Sequence, residues 1–564
     1  MTSADAAPST SAGPWQSAVT LATSSRGGVA ASNQQAAEAG AEMLRQGGNA
    51  VDAVAAAAFA AFVVEPQHCG VAGYGRLAVR LPGCDECVVV DHNVRAPAGS
   101  RGDIFEVDGH GPVTEYGWPD AKSGLNSRGA LSVAVPGAVA GICSAVGQLG
   151  RLPLAQVLEP AIEDATRGVP VDWELVLSIS EAFPGVAGHG AAAALLLPGG
   201  RPPQLWGGDH TIDTSPLAGT LRLIAREGAD GFYTGPVARA IDREVRKGGG
   251  VLTAEDLAAY RSRIFRESPA PFAGWDYVSG DDPIAYETLG ILQRFPLADY
   301  GPDSVQFRHL MAEALGCAFV DNVRHYGDGE PAASPAAKLR GESFANERAR
   351  GITLDQAAPR PIAAADPCRH DSSRRPAAVD GTGQVTAVDS AGMAASLITT
   401  IGSPFGSGIY VEDGGFFLNN GMRNFDPRPG RANSIAPRKM PIFAAPVLVG
   451  SRDGAAQVAI AGSGGYRIET GVLHSFVNYA LFGLGLDQAV SHPRVHCQGE
   501  ATVVDGRIPL KLRDRLRELG HHVVVSEQQP WPIRLARVSA VARDSDGTVQ
   551  CVSWPAWSGG AAAP

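Results

Sequence analysis

No block of lysines and arginines occurs anywhere in this 564-residue chain, and acidic side chains outnumber basic ones, 58 to 47. A nucleic-acid binder needs a concentrated basic face, so that class is set aside. The first seventeen residues, MTSADAAPSTSAGPWQS, lack the basic start and apolar stretch of an export signal. The longest apolar run, Ala53–Val64, is rich in alanine and too short to span a bilayer. A soluble cytoplasmic chain, engaging neither membrane nor nucleic acid, is the expectation. Eight cysteines are scattered, and only Cys84 and Cys87 stand close, as C-x-x-C. No second pair or histidines follow at zinc-ligand spacing, so two free thiols in a reducing compartment are expected.

Several catalytic signatures are missing as well. There is no G-x-S-x-G elbow, no Walker A loop and no H-E-x-x-H. Gly70–Gly75 is glycine-rich without dinucleotide spacing and reads as a tight turn. His68, His496 and the pair His521-His522 have no recognisable ligand partners and read as ordinary core or surface histidines. What is present is ample core material: 45% apolar and 19% charged residues exclude global disorder.

Spacing along the chain predicts two helices between Gly28 and Val64, broken at Gly47-Gly48, with Asn49 or Asp52 starting the second. Leu77–Val90 reads as strand interrupted by a Gly-Cys-Asp-Glu turn. Ser132–Pro136 reads as a strand ahead of a small-residue helix. Thr253-Ala-Glu-Asp256 has the form of a capping box. Residues 329–381, rich in Ala, Pro, Arg, Ser and Asp, read as a loose exposed connector. Beyond it, strand-like alternation returns at Gln384–Leu397 and Gly408–Leu418, and Thr470–Phe482 reads as a helix.

Several segments resemble γ-glutamyltranspeptidases in order along most of the chain. GGVAASNQQAAEAGAEMLRQGGNAVDAVAAAAFA from Gly27 is similar to that family's opening helices. LSVAVPGAVAG (Leu131–Gly141), GADGFYTG (Gly228–Gly235) and GGGVLTAEDLAAYR (Gly248–Arg261) follow in the family's order. FGSGIYVEDGGFFLNNGMRNF (Phe405–Phe425) and GSGGYRIETGVL (Gly462–Leu473) complete the set. The resemblance implies an α+β fold, the four-layer αββα sandwich of N-terminal-nucleophile hydrolases. It also implies a precursor that cuts itself between Gly381 and Thr382. Residues 1–26 would then be a flexible tail, 27–381 a large subunit ending in the connector 329–381, and 382–564 a small catalytic subunit. The two would stay together as a heterodimer.

In that family the nucleophile opens a Thr-Thr-His stretch leading to a strand, an Asp and a glycine turn. Here Gly381-Thr382-Gly-Gln-Val-Thr-Ala-Val-Asp389 stands in that place, so the resemblance assigns the nucleophile to Thr382, with Gly383 and Gln384 replacing Thr and His. Attack of its hydroxyl on the Gly381 carbonyl would free an α-amino group with a pKa of about 7.7–8.0, near enough to neutrality to act as the base. No metal or cofactor is required. By the same resemblance Thr400 supports the nucleophile, and the N–H groups of Gly464 and Gly465 form the oxyanion hole.

The γ-glutamyl pocket is where the resemblance fails. The family's carboxylate-binding arginine is matched by Asn93, with Arg95 two residues on. Its Ser-Ser pair is matched by Ile442-Phe443, its amine-binding Gln and Asp by Gly421 and Asn424, and a further Asn by Gly402. An amino-acid head group buried without charged partners would cost several kcal/mol, so glutathione is a poor fit. Arg95 or Arg423 is a candidate for receiving a small acid. Two diverged kinds of relative compete as guides: acylases that cleave amides such as cephalosporin side chains, and hydrolases of actinobacterial 4-alkylproline antibiotic pathways that remove an oxalyl unit by C–C cleavage. The second is favoured here. γ-Glutamyl transfer, or an inactive scaffold, are the remaining alternatives.

Overall fold

A computed structural model describes residues 20–107, 117–205, 210–325, 339–363, 381–443, 446–527, 535–554 and 559–564. Two antiparallel sheets lie at its centre. Across the first, the strands run β14 (Gly560–Ala562), β2 (Gly27–Ala31), β8 (Gly381–Asp389), β9 (Ala394–Gly402), β3 (Tyr74–Arg80), β4 (Cys87–His92) and β5 (Arg263–Glu267). Across the second they run β1 (Thr20–Ser24), β13 (Val549–Ser553), β12 (Arg537–Arg543), β11 (Ala456–Ser463), β10 (Leu448–Arg452), β7 (Trp275–Val278) and β6 (Ala270–Phe272).

Strand periodicity decides which residues meet which layer. Along β8, Val385 and Ala387 face the helices α1 (Gln34–Arg45), α2 (Ala50–Val64), α3 (Ala138–Leu149) and α4 (Leu154–Arg167). Val388 and, on β9, Ile398 join the core shared with the second sheet. The outer face of that sheet is covered by helices including α6 (Pro283–Leu292), α7 (Val305–His325) and α8 (Ile468–Ala480), with Phe476 and Tyr479 against Phe272, Trp275 and Tyr277. The result is the four-layer αββα sandwich.

Helix α2 is apolar all round because it is buried all round, between the first sheet and α1 and α4. Asn49 caps it, and Asp52 closes a capping box back onto the Asn49 backbone. Asp389, at the end of β8, accepts from Ala50 N at 3.2 Å and from Ala391 and Met393 N at 2.9 and 3.0 Å. One carboxylate thus ties the β8–β9 turn to the start of α2.

Several expectations shift. Residues 20–24 of the expected N-terminal tail form β1, paired to β13, whereas residues 1–19 lie outside the described part. Ser132–Pro136 is not a strand: Pro136 stops it, and only an isolated bridge from Val135 to Arg95 remains. The connector is less loose than its composition implies. Its residues 339–363 contain a helix, Glu342–Arg350, whose Arg348 reaches Asp321 of α7 at 2.7 Å, and Arg360 pairs with Glu313 of α7. Residues 329–338 and 364–380 of the connector, with Cys368, lie outside the described part. Cys84 and Cys87 are free thiols, and no described helix is long and apolar enough to cross a membrane.

Candidate active site

The site begins at an irregularity between β8 and β9. Gly381 pairs with Gly402 and Gly383 with Thr399, so Thr382 faces two residues, Thr400 and Ile401. A bulge of this kind re-aims side chains. Here the Thr400 hydroxyl accepts from Gly402 N at 2.8 Å and donates to the Gly381 carbonyl at 2.6 Å. That carbonyl belongs to the peptide bond joining Gly381 to Thr382. Thr382 itself is buried, 4% exposed.

On the other side of Thr382 stands Arg537, which opens β12 and is the register partner of Ser463 on β11. Its guanidinium donates to the Thr382 carbonyl at 3.2 Å, to Ser463 Oγ at 2.8 Å and to Glu174 Oε1 at 3.1 Å. Glu174 lies in α5 (Trp173–Glu181). The same Glu174 oxygen meets His68 Nε2 at 2.7 Å. Burial pulls the His68 ring below its usual pKa, against the hydrogen bond and charge of Glu174. Nearby, Glu65 accepts from Ser32 Oγ, and burial raises its carboxyl to about 7. Glu65, His68 and Glu174 converge within 4.8 Å of one another, the spacing of a metal site, but Arg537 already supplies their cation.

After Ser463 the chain turns at Gly464 and Gly465, with φ of +130° and +60°, into the 3-10 turn that leads into α8. These values suit glycine, and a side chain on Gly464 would sit 3.1 Å from the Ala536 Cα. N–H groups at the head of a helix are donors without intrahelical partners, the equipment an oxyanion needs.

The residues named for the pocket divide into two groups. Tyr74, the register partner of Thr400, receives a hydrogen bond from Asn424 Nδ2 at 2.9 Å and packs edge-on to Phe443 at 5.5 Å. Arg76 lies over the Phe443 ring, 5.7 Å from its centre. Arg423 is buried and donates to Ser403 Oγ at 2.8 Å, just beyond Gly402. Gly402 has no room for the family's asparagine, because a Cβ there would meet Asn420 Oδ1 at 1.9 Å. Gly421 is closed in the same way by Val94. Ile442 is buried, its N–H held by Asn433.

Asn93 and Arg95 form the second group and are committed elsewhere. Asn93 donates to the Pro441 carbonyl at 3.0 Å and accepts from its neighbour Val94 N. Arg95 reaches the Arg438 carbonyl at 3.3 Å. The sequence reading of His68 as an ordinary histidine is corrected by its bond to Glu174, and Glu174 and Arg537 were not named at all, since the three stand far apart in the chain and in no motif. Only the fold brings them to Thr382.

A threonine at the head of a central strand, with a hydroxyl on the preceding carbonyl and a glycine turn nearby, sits within a four-layer sandwich. Fold and site together define an N-terminal-nucleophile hydrolase. The gamma-glutamyltranspeptidase profile matches residues 36–563, and the chain belongs to that family. It is 33% identical over 534 residues to the acylase ACY 1 proenzyme of Pseudomonas sp. strain SE83, covering 94% of this chain and 92% of that one. It is 30% identical over 543 residues to the glutathione hydrolase proenzyme of Bacillus subtilis strain 168, covering 93% and 89%. The crystal structure of a cephalosporin acylase from Bacillus halodurans superposes with a TM-score of 0.83 at 25% identity, covering 99% of each chain.

Proposed function

We propose that the protein cuts its own chain before Thr382 and then uses that threonine to remove a small acyl group other than γ-glutamyl. The observation that carries the reading is the 2.6 Å hydrogen bond from Thr400 to the Gly381 carbonyl, the oxygen on which negative charge would gather during self-cleavage. Thr382 Oγ adds to the Gly381 carbon, the C–N bond breaks with a proton passing to nitrogen, and water hydrolyses the ester. The freed amine then serves as base in turnover.

For the substrate we favour an oxalyl group joined by a C–C bond to a conjugated enamine, as in 4-alkylproline antibiotic biosynthesis. Thr382 would add to the keto carbon, the enamine carbon would leave and take a proton, and water would release oxalate from the threonine ester. The buried Arg423 beside Ser403 matches a short acid, and the wall of Tyr74, Ile442 and Phe443 matches a flat conjugated partner better than an ammonium group. A second reading, amide acylase, is favoured by the similarity to acylase ACY 1. The discriminating experiment offers the purified protein an oxalyl-pyrroline, a glutaryl amide and glutathione in parallel. Release of oxalate supports the first reading. Turnover of the amide alone overturns it in favour of the second, and an uncut chain inert to all three overturns both.

A further inference from the structure

Self-cleavage would leave Thr382 with a new amine and turn Gly381 into a free C-terminus, able to move off its place beside that amine. What lies against that residue is therefore what the amine inherits. A Cβ on Gly381 would sit 2.4 Å from His68 Nδ1 and 3.0 Å from the Gln67 carbonyl, so the imidazole faces Gly381 directly. Nδ1 is buried and has no hydrogen-bond partner among the described residues. A buried polar atom in that state is costly, and such an orphan calls for a partner.

The ring cannot turn away easily. Its Nε2 is fixed on Glu174 Oε1 at 2.7 Å, and the His68 backbone is held by Ile401 N on its carbonyl at 3.1 Å and by its own N–H on the Glu65 carbonyl at 2.9 Å. With the Glu174 carboxylate accepting from Nε2–H, Nδ1 carries a lone pair and is an acceptor. The Glu174 oxygen that fixes His68 also holds Arg537, which donates to the Thr382 carbonyl.

We infer that His68, oriented by Glu174, is a positioning residue for the α-amino group that cleavage creates at Thr382, with Nδ1 accepting one amine N–H directly or through a single water. The amine has two hydrogens and one lone pair. Anchoring one hydrogen on His68 leaves the lone pair to be aimed at the threonine hydroxyl. Thr382 is then gripped at both ends of its backbone, at the carbonyl by Arg537 and at the nitrogen by His68, with one carboxylate oxygen as the pivot. Gly402 and Gly383 contribute no side chain that could do this instead. Among the described residues, the charged and titratable groups facing the imidazole are Glu65 just past α2, Asp172 and Glu174 at α5, and Arg537 on β12. This inference rests on the hydrolase reading above.

The test compares wild type, H68A, H68N and T382A. Asparagine places an oxygen acceptor close to the Nδ1 position, which alanine lacks. The probe is p-nitrophenyl acetate, and acetyl adducts are counted by intact mass on the fragment beginning at Thr382, with self-cleavage scored in the same spectra. The expected result is a cut H68A fragment that acylates at least tenfold more slowly at pH 7, with the acid limb of its pH profile moved to lower pH. Loss of the acceptor removes a partner that favours the protonated amine. H68N should recover most of the rate and the limb. Wild-type rate and limb in cut H68A would overturn the inference and leave the hydrolase reading standing. An uncut wild type carrying no adduct would overturn that reading instead. Should H68A fail to fold, a crystal structure of the cut wild type decides: Nδ1 joined to the Thr382 nitrogen, or to a water that bridges them, supports the inference, and Nδ1 turned elsewhere overturns it.

Discussion

The Thr400 hydroxyl donates to the carbonyl of Gly381 at 2.6 Å while accepting from the N–H of Gly402. With Gly402 N–H engaging one of its lone pairs, the hydroxyl directs its single proton at the carbonyl of the bond proposed to be cut. Replacing Thr400 by valine keeps the shape and removes the donor. Self-cleavage should slow by about 10²–10³-fold, the usual cost of losing one oxyanion donor, and serine should restore most of it. Time courses of fragment appearance on denaturing gels check this, and unchanged kinetics in the valine variant would reject it.

Arg537 and Glu174 are both almost wholly buried and lie 3.1 Å apart. Removing one member of such a pair leaves the other's charge stranded, at about 3–5 kcal/mol. R537M, made in the uncut T382A chain, should therefore be strongly destabilised. The double variant E174Q/R537M should be more stable than R537M alone, since it removes the stranded charge. Urea denaturation of T382A alone and with R537M, E174Q or both measures the coupling.

Glu65 is buried and its carboxyl is raised from 4.5 to about 7. Between those values the unfolded chain sheds this proton while the folded chain keeps it, so folding is penalised progressively as pH rises through the window. The contribution is full below pH 4.5 and lost by about pH 7. Glutamine at position 65 cannot lose a proton. The Tm of wild type should accordingly fall relative to E65Q as pH is raised from 4.5 to 8, and parallel curves would count against the assignment.

Phe443 packs against both Tyr74 and Arg76. Restoring the family's serines in I442S/F443S should not create glutathione hydrolysis, because Gly402 and Gly421 are sealed by Asn420 and Val94. Turnover of glutathione by either protein should stay at least about 10²-fold below that of the preferred substrate, as expected where charged groups meet no partner. Substrate competition assays would show it.

Much of this could be read along the chain. The Asn49–Asp52 capping box, the glycine turn at Gly47-Gly48 and the strand after Thr382 are local features, written in adjacent residues. Thr382, Gly464 and Gly465 were named through resemblance, each within a recognisable segment, and Thr400 through its match to the family's second threonine. His68, Glu174 and Arg537 were not, because their meeting depends on α2, α5 and β12 arriving at one point. The pocket misled in a different way. Asn93 occupies the family's arginine position and Arg95 stands two residues on, but both side chains are drawn to the backbone of 438–441, and sequence alone does not disclose which neighbour claims a side chain.

In the first sheet, β8 and β9 from beyond Thr382 lie between β2 and β3 from before it. At the edges β14 pairs with β2, and in the second sheet β1 pairs with β13. Once the bond before Thr382 is cut, neither fragment can be withdrawn without dismantling both sheets. The proposed cut would thus make folding a one-way event. A chain that reached its shape alone becomes two that could regain it only by collision, so recovery from denaturant would depend on protein concentration, whereas the uncut T382A chain would refold independently of it.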